Sequence, residues 1–245
     1  MLKKLHDKSR ILFTVVWIIA YCLLMSVGDI LSDLVGVQKS ITLPIAVALS
    51  VVLLCFVKKH NLMCNYGLCK PTASPRSMLF YFPLLLMLGV NFCGGLGFDG
   101  TVADALLAVI TMVFVGFLEE VIFRGLLFHA LAEDNKVVAI VVSSLTFGLG
   151  HVINLFNGSG AEIGATLLQI VYATSAGFMF VMIHHTSKSL LVCLLAHGVF
   201  NSIGVFALEP SIEMQLLTAS LLVAITSGYA IYLAVKAKRQ NQFSN

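Results

Sequence analysis

Eight apolar segments, most of them long enough to cross a lipid bilayer, follow one another along this 245-residue chain. They cover residues 11–31, 41–57, 78–96, 102–131, 137–153, 163–183, 189–208 and 214–235. A helix needs about 20 apolar residues to cross a hydrocarbon core about 30 Å thick, and the second and fifth segments are short. Charged residues make up 11% of the chain, whereas a soluble domain carries about 25%. The pattern predicts an all-α, polytopic membrane helix bundle of about eight transmembrane helices.

The basic residues predict how this bundle is oriented. If the N-terminus is cytoplasmic, 13 of the 15 lysines and arginines fall on the cytoplasmic side, and Lys39 and Arg124 are the exceptions. The positive-inside rule favours this arrangement, with both termini in the cytoplasm of a multi-pass cell-membrane protein. The net charge of +3 therefore reflects topology and does not indicate a nucleic-acid partner. Short loops around a compact bundle are typical of a bacterial protein.

The longest polar stretch, residues 58–77, divides the chain. Residues 1–77 are predicted to form two leading transmembrane helices and a cytoplasmic loop. Residues 78–245 are predicted to form the core that carries the chemistry, because every strong polar motif lies between Glu119 and Asn201. No internal repeat is evident, which argues against a transporter built from inverted repeats.

The first motif, Glu119-Glu120-x-x-x-Arg124, lies inside the fourth apolar segment. A charged side chain at the centre of a membrane helix costs about 2.5–3.5 kcal/mol on insertion scales, so such residues mark a functional site by default. Glu120 and Arg124 are four residues apart and can form an ion pair. Glu119 is then an acid without a partner on its own helix, which suits a general base.

Two further motifs lie on other helices: Phe147-Gly-Leu-Gly-His151, and His197 with Asn201 four residues later on the same face. At 1.5 Å of rise per residue, Glu119, His151, His197 and Asn201 lie about 19, 21, 12 and 18 Å from the cytoplasmic ends of their helices. This shared depth predicts one common site. The neighbouring glycines Gly148, Gly150 and Gly198 would allow close helix packing there.

Each group also has a structural interpretation. Glu120 with Arg124 could simply be an ion pair that holds the bundle together. His151 could be an interfacial residue, and His197 with Asn201 could hydrogen-bond across helices. Gln169 is expected to act as such a contact within the sixth segment. Glu119 is hardest to explain in this way, because no residue on its own helix compensates its desolvation.

The three motifs, in this order on separate membrane helices, resemble those of the CAAX-protease and bacteriocin-processing (Abi) family, which includes the type II CAAX prenyl endopeptidases. The resemblance covers about 110 to 140 residues, from the third segment to the eighth. It implies an intramembrane endopeptidase, hence a hydrolase, acting on a membrane-associated peptide or protein near the cytoplasmic side. By this resemblance Glu119 with His151 activates water, while His197 and Asn201 stabilise the oxyanion. Supporting roles fall to Glu120, Arg124, Phe123 and Phe147.

The resemblance leaves the cofactor open. The family is often described as one of metalloproteases, and Glu119, His151 and His197 could supply three zinc ligands with water as the fourth. No H-E-x-x-H motif is present, however, and the resemblance also permits a metal-independent glutamate mechanism. No cofactor is therefore assigned, and a divalent metal such as zinc stays an alternative.

Two other functions compete with proteolysis. The protein could be a non-catalytic membrane scaffold or a bacteriocin self-immunity protein. It could also be a proton-coupled transporter in which Glu119 and His151 relay protons. A glutamine at position 119 that abolished cleavage but not expression would separate the protease from both alternatives.

Overall fold

The computed structural model describes residues 2–157, 161–208 and 211–240. Its α-helices are α1 (Leu2–Lys8), α2 (Arg10–Val35), α3 (Thr42–Lys59), α4 (Pro75–Met78), α5 (Tyr81–Val90), α6 (Val102–Glu119), α7 (Phe128–Ala132), α8 (Lys136–Gly150), α9 (Ile163–Ser187), α10 (Leu191–Gly204) and α11 (Ile212–Arg239). A π-helical segment, Glu120–Leu127, joins α6 to α7, and a 3₁₀ helix, His151–Leu155, follows α8. The predicted all-α membrane bundle is confirmed, and no strand occurs within the described ranges.

Six helical segments of the described chain are long and apolar enough to cross a membrane. They are Arg10–Val35, Thr42–Lys59, Val102–Ala132, Lys136–Leu155, Ile163–Ser187 and Ile212–Arg239. The third and seventh predicted spans are shorter than expected, because α5 has 10 residues and α10 has 14. A count of eight spans therefore stays a prediction, as does the location of the termini.

The early end of α5 has a local cause. Beyond Val90 the chain turns, and Gly95 adopts a left-handed conformation with φ of 87° that an L side chain rarely tolerates. The Asn91 amide donates a hydrogen bond to the Phe200 carbonyl oxygen at 2.9 Å, which ties this turn to α10.

Two hydrophobic clusters hold the bundle together. One joins α2 and α3 to α6, the π-helical segment and α8, and the other joins α5, α9, α10 and α11. The leading helices therefore share a core with the helix that carries Glu119 and Glu120.

Glycines set two close helix crossings. A Cβ atom on Gly116 would lie 3.0 Å from the Gly198 backbone nitrogen, so α6 and α10 touch through their backbones. A Cβ atom on Gly148 would lie 2.9 Å from the Thr174 Cα atom of α9. The predicted close packing is thus confirmed at Gly148 and Gly198, whereas Gly150 has only ordinary contacts.

The π-helical segment lies inside the bundle, and all eight of its residues are buried. Widened π turns leave backbone groups without their usual α-helical partners, and such segments are frequent at functional sites. One of these backbone groups has a hydrogen-bond partner on α8, because the Ser143 hydroxyl donates to the Phe123 carbonyl oxygen at 2.7 Å. The neighbouring helix therefore stabilises the segment that carries the acidic motif.

Candidate active site

Glu120 and Arg124 form the buried centre of the site. Both side chains are fully buried, and an Arg124 nitrogen lies 3.1 Å from Glu120 Oε1, so the predicted ion pair is present. The guanidinium also lies 4.0 Å from the centre of the Phe147 ring and 5.6 Å from that of Phe180. Such cation–π contacts stabilise a cation that is shielded from water.

His197 connects this ion pair to Glu119. Its Nδ1 atom lies 2.8 Å from Glu120 Oε1, and its Nε2 atom lies 3.4 Å from Glu119 Oε2. A carboxylate paired with arginine can only accept, so Nδ1–H donates to Glu120 and the other ring nitrogen faces Glu119. The ring stacks on Phe180 with the ring centres 5.5 Å apart. His197 is thus held in one orientation between the two glutamates.

Glu119 lies between these buried polar side chains and a cavity. Its side chain is 13% exposed, whereas that of Glu120 is fully buried. The Tyr21 hydroxyl donates a hydrogen bond to Glu119 Oε1 at 2.9 Å. The expectation that Glu119 lacks a partner holds only along its own helix, because α2 and α10 each supply one.

His151 and Asn201 lie on the wall of the same cavity as Glu119. The His151 Nδ1–H donates to the Phe147 carbonyl oxygen at 3.1 Å, which leaves Nε2 for other partners. The histidine that contacts Glu119 is therefore His197, and His151 makes no ion pair with it within the described chain. Asn201 also lines a small side pocket together with His151 and His197.

The cavity has a volume of about 540 Å³. Its deep part is formed by Tyr21, Glu119, Phe123, Phe147, His151 and Asn201. Its outer part is formed by Asp29, Lys39, Thr42, Gly94, Asn157, Ala161, Ala207 and Leu208, here named the mouth. At the mouth, Lys39 Nζ lies 2.8 Å from Asp29 Oδ1, and the Thr42 hydroxyl donates to the same oxygen at 2.6 Å.

The direction of the cavity differs from the sequence prediction. All the mouth residues, including Lys39, belong to the end of the bundle opposite the 13 basic residues, whereas the family resemblance implies action near the basic, cytoplasmic side. The reason lies in the π-helical segment, because its buried side chains fill the space between Glu119 and the basic end. The depth of the residues along their helices could not reveal at which end of the bundle the cavity is closed.

The polar groups do not form a metal site as they are arranged. Within the described residues, no three His, Cys, Asp or Glu side chains lie together as possible ligands of one ion. His197 already uses its two ring nitrogens on Glu119 and Glu120, and His151 uses Nδ1 on a backbone carbonyl. The three proposed donors therefore do not fit a tetrahedral zinc ion in this conformation.

The sequence interpretation missed several residues of the cavity. Tyr21 lies 98 positions before Glu119 in a leading helix, and no motif marks it. Asn154 lies in the 3₁₀ helix and donates to Gln169 Oε1 at 2.9 Å. Gln169 is thus a contact between helices, as expected, and it also lines the cavity. Only Gln169 carried a usable signal, because it is a polar side chain within the sixth apolar segment.

Comparisons with known proteins agree with the motifs. Residues 101–203 match the family model described as "Type II CAAX prenyl endopeptidase Rce1-like". A protein of Bacillus subtilis (strain 168) named "Putative membrane peptidase YdiL" is 30% identical over 129 residues, covering 49% of this chain and 48% of the relative. The chain thus aligns with about half the length of this curated relative. No solved structure matches the chain significantly.

The matched segment contains every residue of the three motifs, from Glu119 to Asn201. The resemblance to a family of membrane proteases is therefore confirmed over residues 101–203, and the six membrane-spanning-capable helices identify the chain as a multi-pass membrane protein.

Proposed function

We propose that the protein is an intramembrane endopeptidase that hydrolyses a peptide bond of a membrane-associated peptide or protein. One observation carries the proposal. Glu119 lies on the wall of a cavity of about 540 Å³ that also exposes His151 and Asn201. Behind Glu119, a buried chain of His197, Glu120 and Arg124 holds it in place. A general base and hydrogen-bond donors in a water-poor cleft are what peptide hydrolysis requires.

In this mechanism Glu119 removes a proton from a water molecule in the cavity while the water oxygen attacks the carbonyl carbon of the scissile bond. The negative charge moves to the carbonyl oxygen. The Asn201 amide, which lines the cavity, stabilises that oxyanion. The intermediate then collapses, the carbon–nitrogen bond breaks, and Glu119 returns its proton to the leaving amine. Protein groups and water perform all the steps, since the donors as arranged do not fit a zinc ion.

The substrate would enter through the mouth. If the basic end is cytoplasmic, as the positive-inside rule predicts, the mouth faces the opposite side of the membrane. The geometry thus favours entry from the side opposite most basic residues, whereas the family resemblance implies action near the cytoplasmic side. The apolar outer surfaces of the helices would keep lipid-anchored or membrane-spanning substrates beside the cavity.

Comparing membranes with and without the protein tests proteolysis directly. We expect mass spectrometry of membrane peptides to find new chain ends that require the wild-type protein. The cleaved bonds should lie close to membrane-embedded or lipid-attached segments. Identical peptide populations in the two membranes would contradict the protease and favour the scaffold or immunity alternative.

The direction of the mouth can be tested with two native cysteines. Cys22 lines the cavity, and Cys64 is exposed in the loop after α3 at the basic end. In variants that keep only one of them, we expect membrane-impermeant thiol reagents to label the two from opposite sides of sealed vesicles. Cys64 should react from the cytoplasmic side. Labelling of both cysteines from one side would overturn the proposed entry route.

A further inference from the structure

Tyr21 contacts Glu119 of the acidic motif from α2, a helix that contains none of the three motifs and lies outside the family match. It lies on α2, whereas the matched segment begins at residue 101. Tyr21 is about 17 Å along α2 from Arg10, and Glu119 is about 20 Å from the end of α7 at Ala132. The two residues therefore lie at the same depth, measured from the same end of the bundle.

The contact between them is specific. The Tyr21 side chain is 8% exposed, and its phenol ring lies in the hydrophobic cluster that also contains Trp17 and Met25. Its hydroxyl donates to Glu119 Oε1 at 2.9 Å. A phenylalanine would fill the same apolar space, so the hydroxyl is needed only for its hydrogen bond to this carboxylate.

Each oxygen of Glu119 has its own partner. Oε1 accepts from Tyr21 on α2, and Oε2 faces His197 Nε2 on α10 at 3.4 Å. A carboxylate that accepts a hydrogen bond from α2 at one oxygen and packs against a ring of α10 at the other cannot rotate freely about its last bond. Such orientation matters for a base, because proton transfer requires a heavy-atom distance near 2.6–3.2 Å.

Polar contacts at both ends of α2 fix its position and therefore that of Tyr21. At the basic end, Arg10 pairs with Glu133, which follows α7. At the mouth, Asp29 accepts hydrogen bonds from Lys39 and Thr42. These end contacts hold α2 against α3 and against the π-helical segment that follows Glu119.

We propose that Tyr21 is a positioning residue, whose hydroxyl orients the Glu119 carboxylate to remove a proton from the attacking water. The inference rests on the proposed function. It also makes residues 1–77 part of the reacting unit, since one of the two groups that hold the base comes from α2.

Tyr21→Phe tests the proposal, with Tyr66→Phe as its matched control. Tyr66 is buried in the same hydrophobic cluster, and its hydroxyl is 2.6 Å from His6 Nε2, so the control also loses a hydrogen bond. The substrate is a fluorogenic peptide that contains a bond cut by the wild-type protein. We expect Tyr21→Phe to lower kcat about 10- to 100-fold with KM within about twofold, and Tyr66→Phe to leave both unchanged.

A double-mutant cycle provides the second measurement. Glu119→Asp shortens the side chain and withdraws the carboxylate from Tyr21. If Tyr21 acts through Glu119, adding Tyr21→Phe to Glu119→Asp should lower kcat by less than about twofold further. A normal kcat in Tyr21→Phe, a rise in KM alone, or fully additive losses would each overturn the positioning role. A wild-type protein that cuts no peptide would instead contradict the protease itself.

Discussion

Glu119→Gln is expected to lower peptide-bond cleavage by about 10² to 10⁴-fold, because glutamine cannot remove a proton from water. The fold should survive the change. The carbonyl oxygen of the introduced glutamine can still accept the Tyr21 hydrogen bond, and the amide has nearly the volume of the carboxylate. The measurement is cleavage by equal amounts of purified wild-type and variant protein, together with the yield of membrane-inserted protein.

Glu213→Gln supplies the matched control for this loss. It makes the same chemical change at an exposed position in the first turn of α11, away from the cavity. The control should cleave at the wild-type rate. Wild-type activity in Glu119→Gln would show that Glu119 is not the base and that another group activates the water. Retained cleavage would also show that the reaction does not require proton transfer by Glu119.

The residues that make up the site could be predicted because the membrane simplifies the pattern. Glutamate, arginine and histidine are rare in apolar segments, and their positions in such segments are therefore informative. Spacing of four residues placed Glu120 beside Arg124, and common depth placed Glu119, His151 and Asn201 on one cavity. Both inferences use only helix geometry, which is regular over these segments.

The partners of each group could not be predicted, because they depend on how helices cross. His197 rather than His151 contacts Glu119, since Gly116 and Gly198 bring α6 and α10 together at that level. Tyr21 contributes from 98 positions away, and nothing in its neighbourhood distinguishes it from a packing residue. Contacts of this kind follow from tertiary packing and not from periodicity.

Two features of the fold escaped prediction for local reasons. The π-helical turns after Glu119 have no signature in the apolar pattern, since leucine, valine and phenylalanine suit α and π turns alike. Those turns bury the side facing the basic end and leave the cavity open at the opposite end. The early end of α5 depends on the turn at Gly95, which an average of hydropathy over a window does not reveal.

Arg124→Met is expected to destabilise the protein by about 3–5 kcal/mol, because it leaves the fully buried Glu120 without its counter-charge. The contacts of the Arg124 guanidinium with the Phe147 and Phe180 rings are lost as well. For a chain of this size, that loss corresponds to a fall in Tm of about 6–20 °C. Thermal unfolding in a mild detergent measures it. Lys58→Met, which removes a charge from the exposed end of α3, should leave Tm nearly unchanged.

A second substitution separates the cost of the unpaired charge from the loss of packing. In Glu120→Gln combined with Arg124→Met, neither buried group is charged, and replacement of a buried ion pair by neutral groups of similar volume is often nearly neutral for stability. We therefore expect the double variant to recover most of the lost Tm. Its cleavage should stay low, because His197 would donate to a neutral amide in place of a charged carboxylate and would hold Glu119 less firmly. A double variant no more stable than Arg124→Met would show that the aromatic contacts, and not the ion pair, hold this part of the bundle. A double variant that cleaves at the wild-type rate would show that the charge on Glu120 has no part in the reaction.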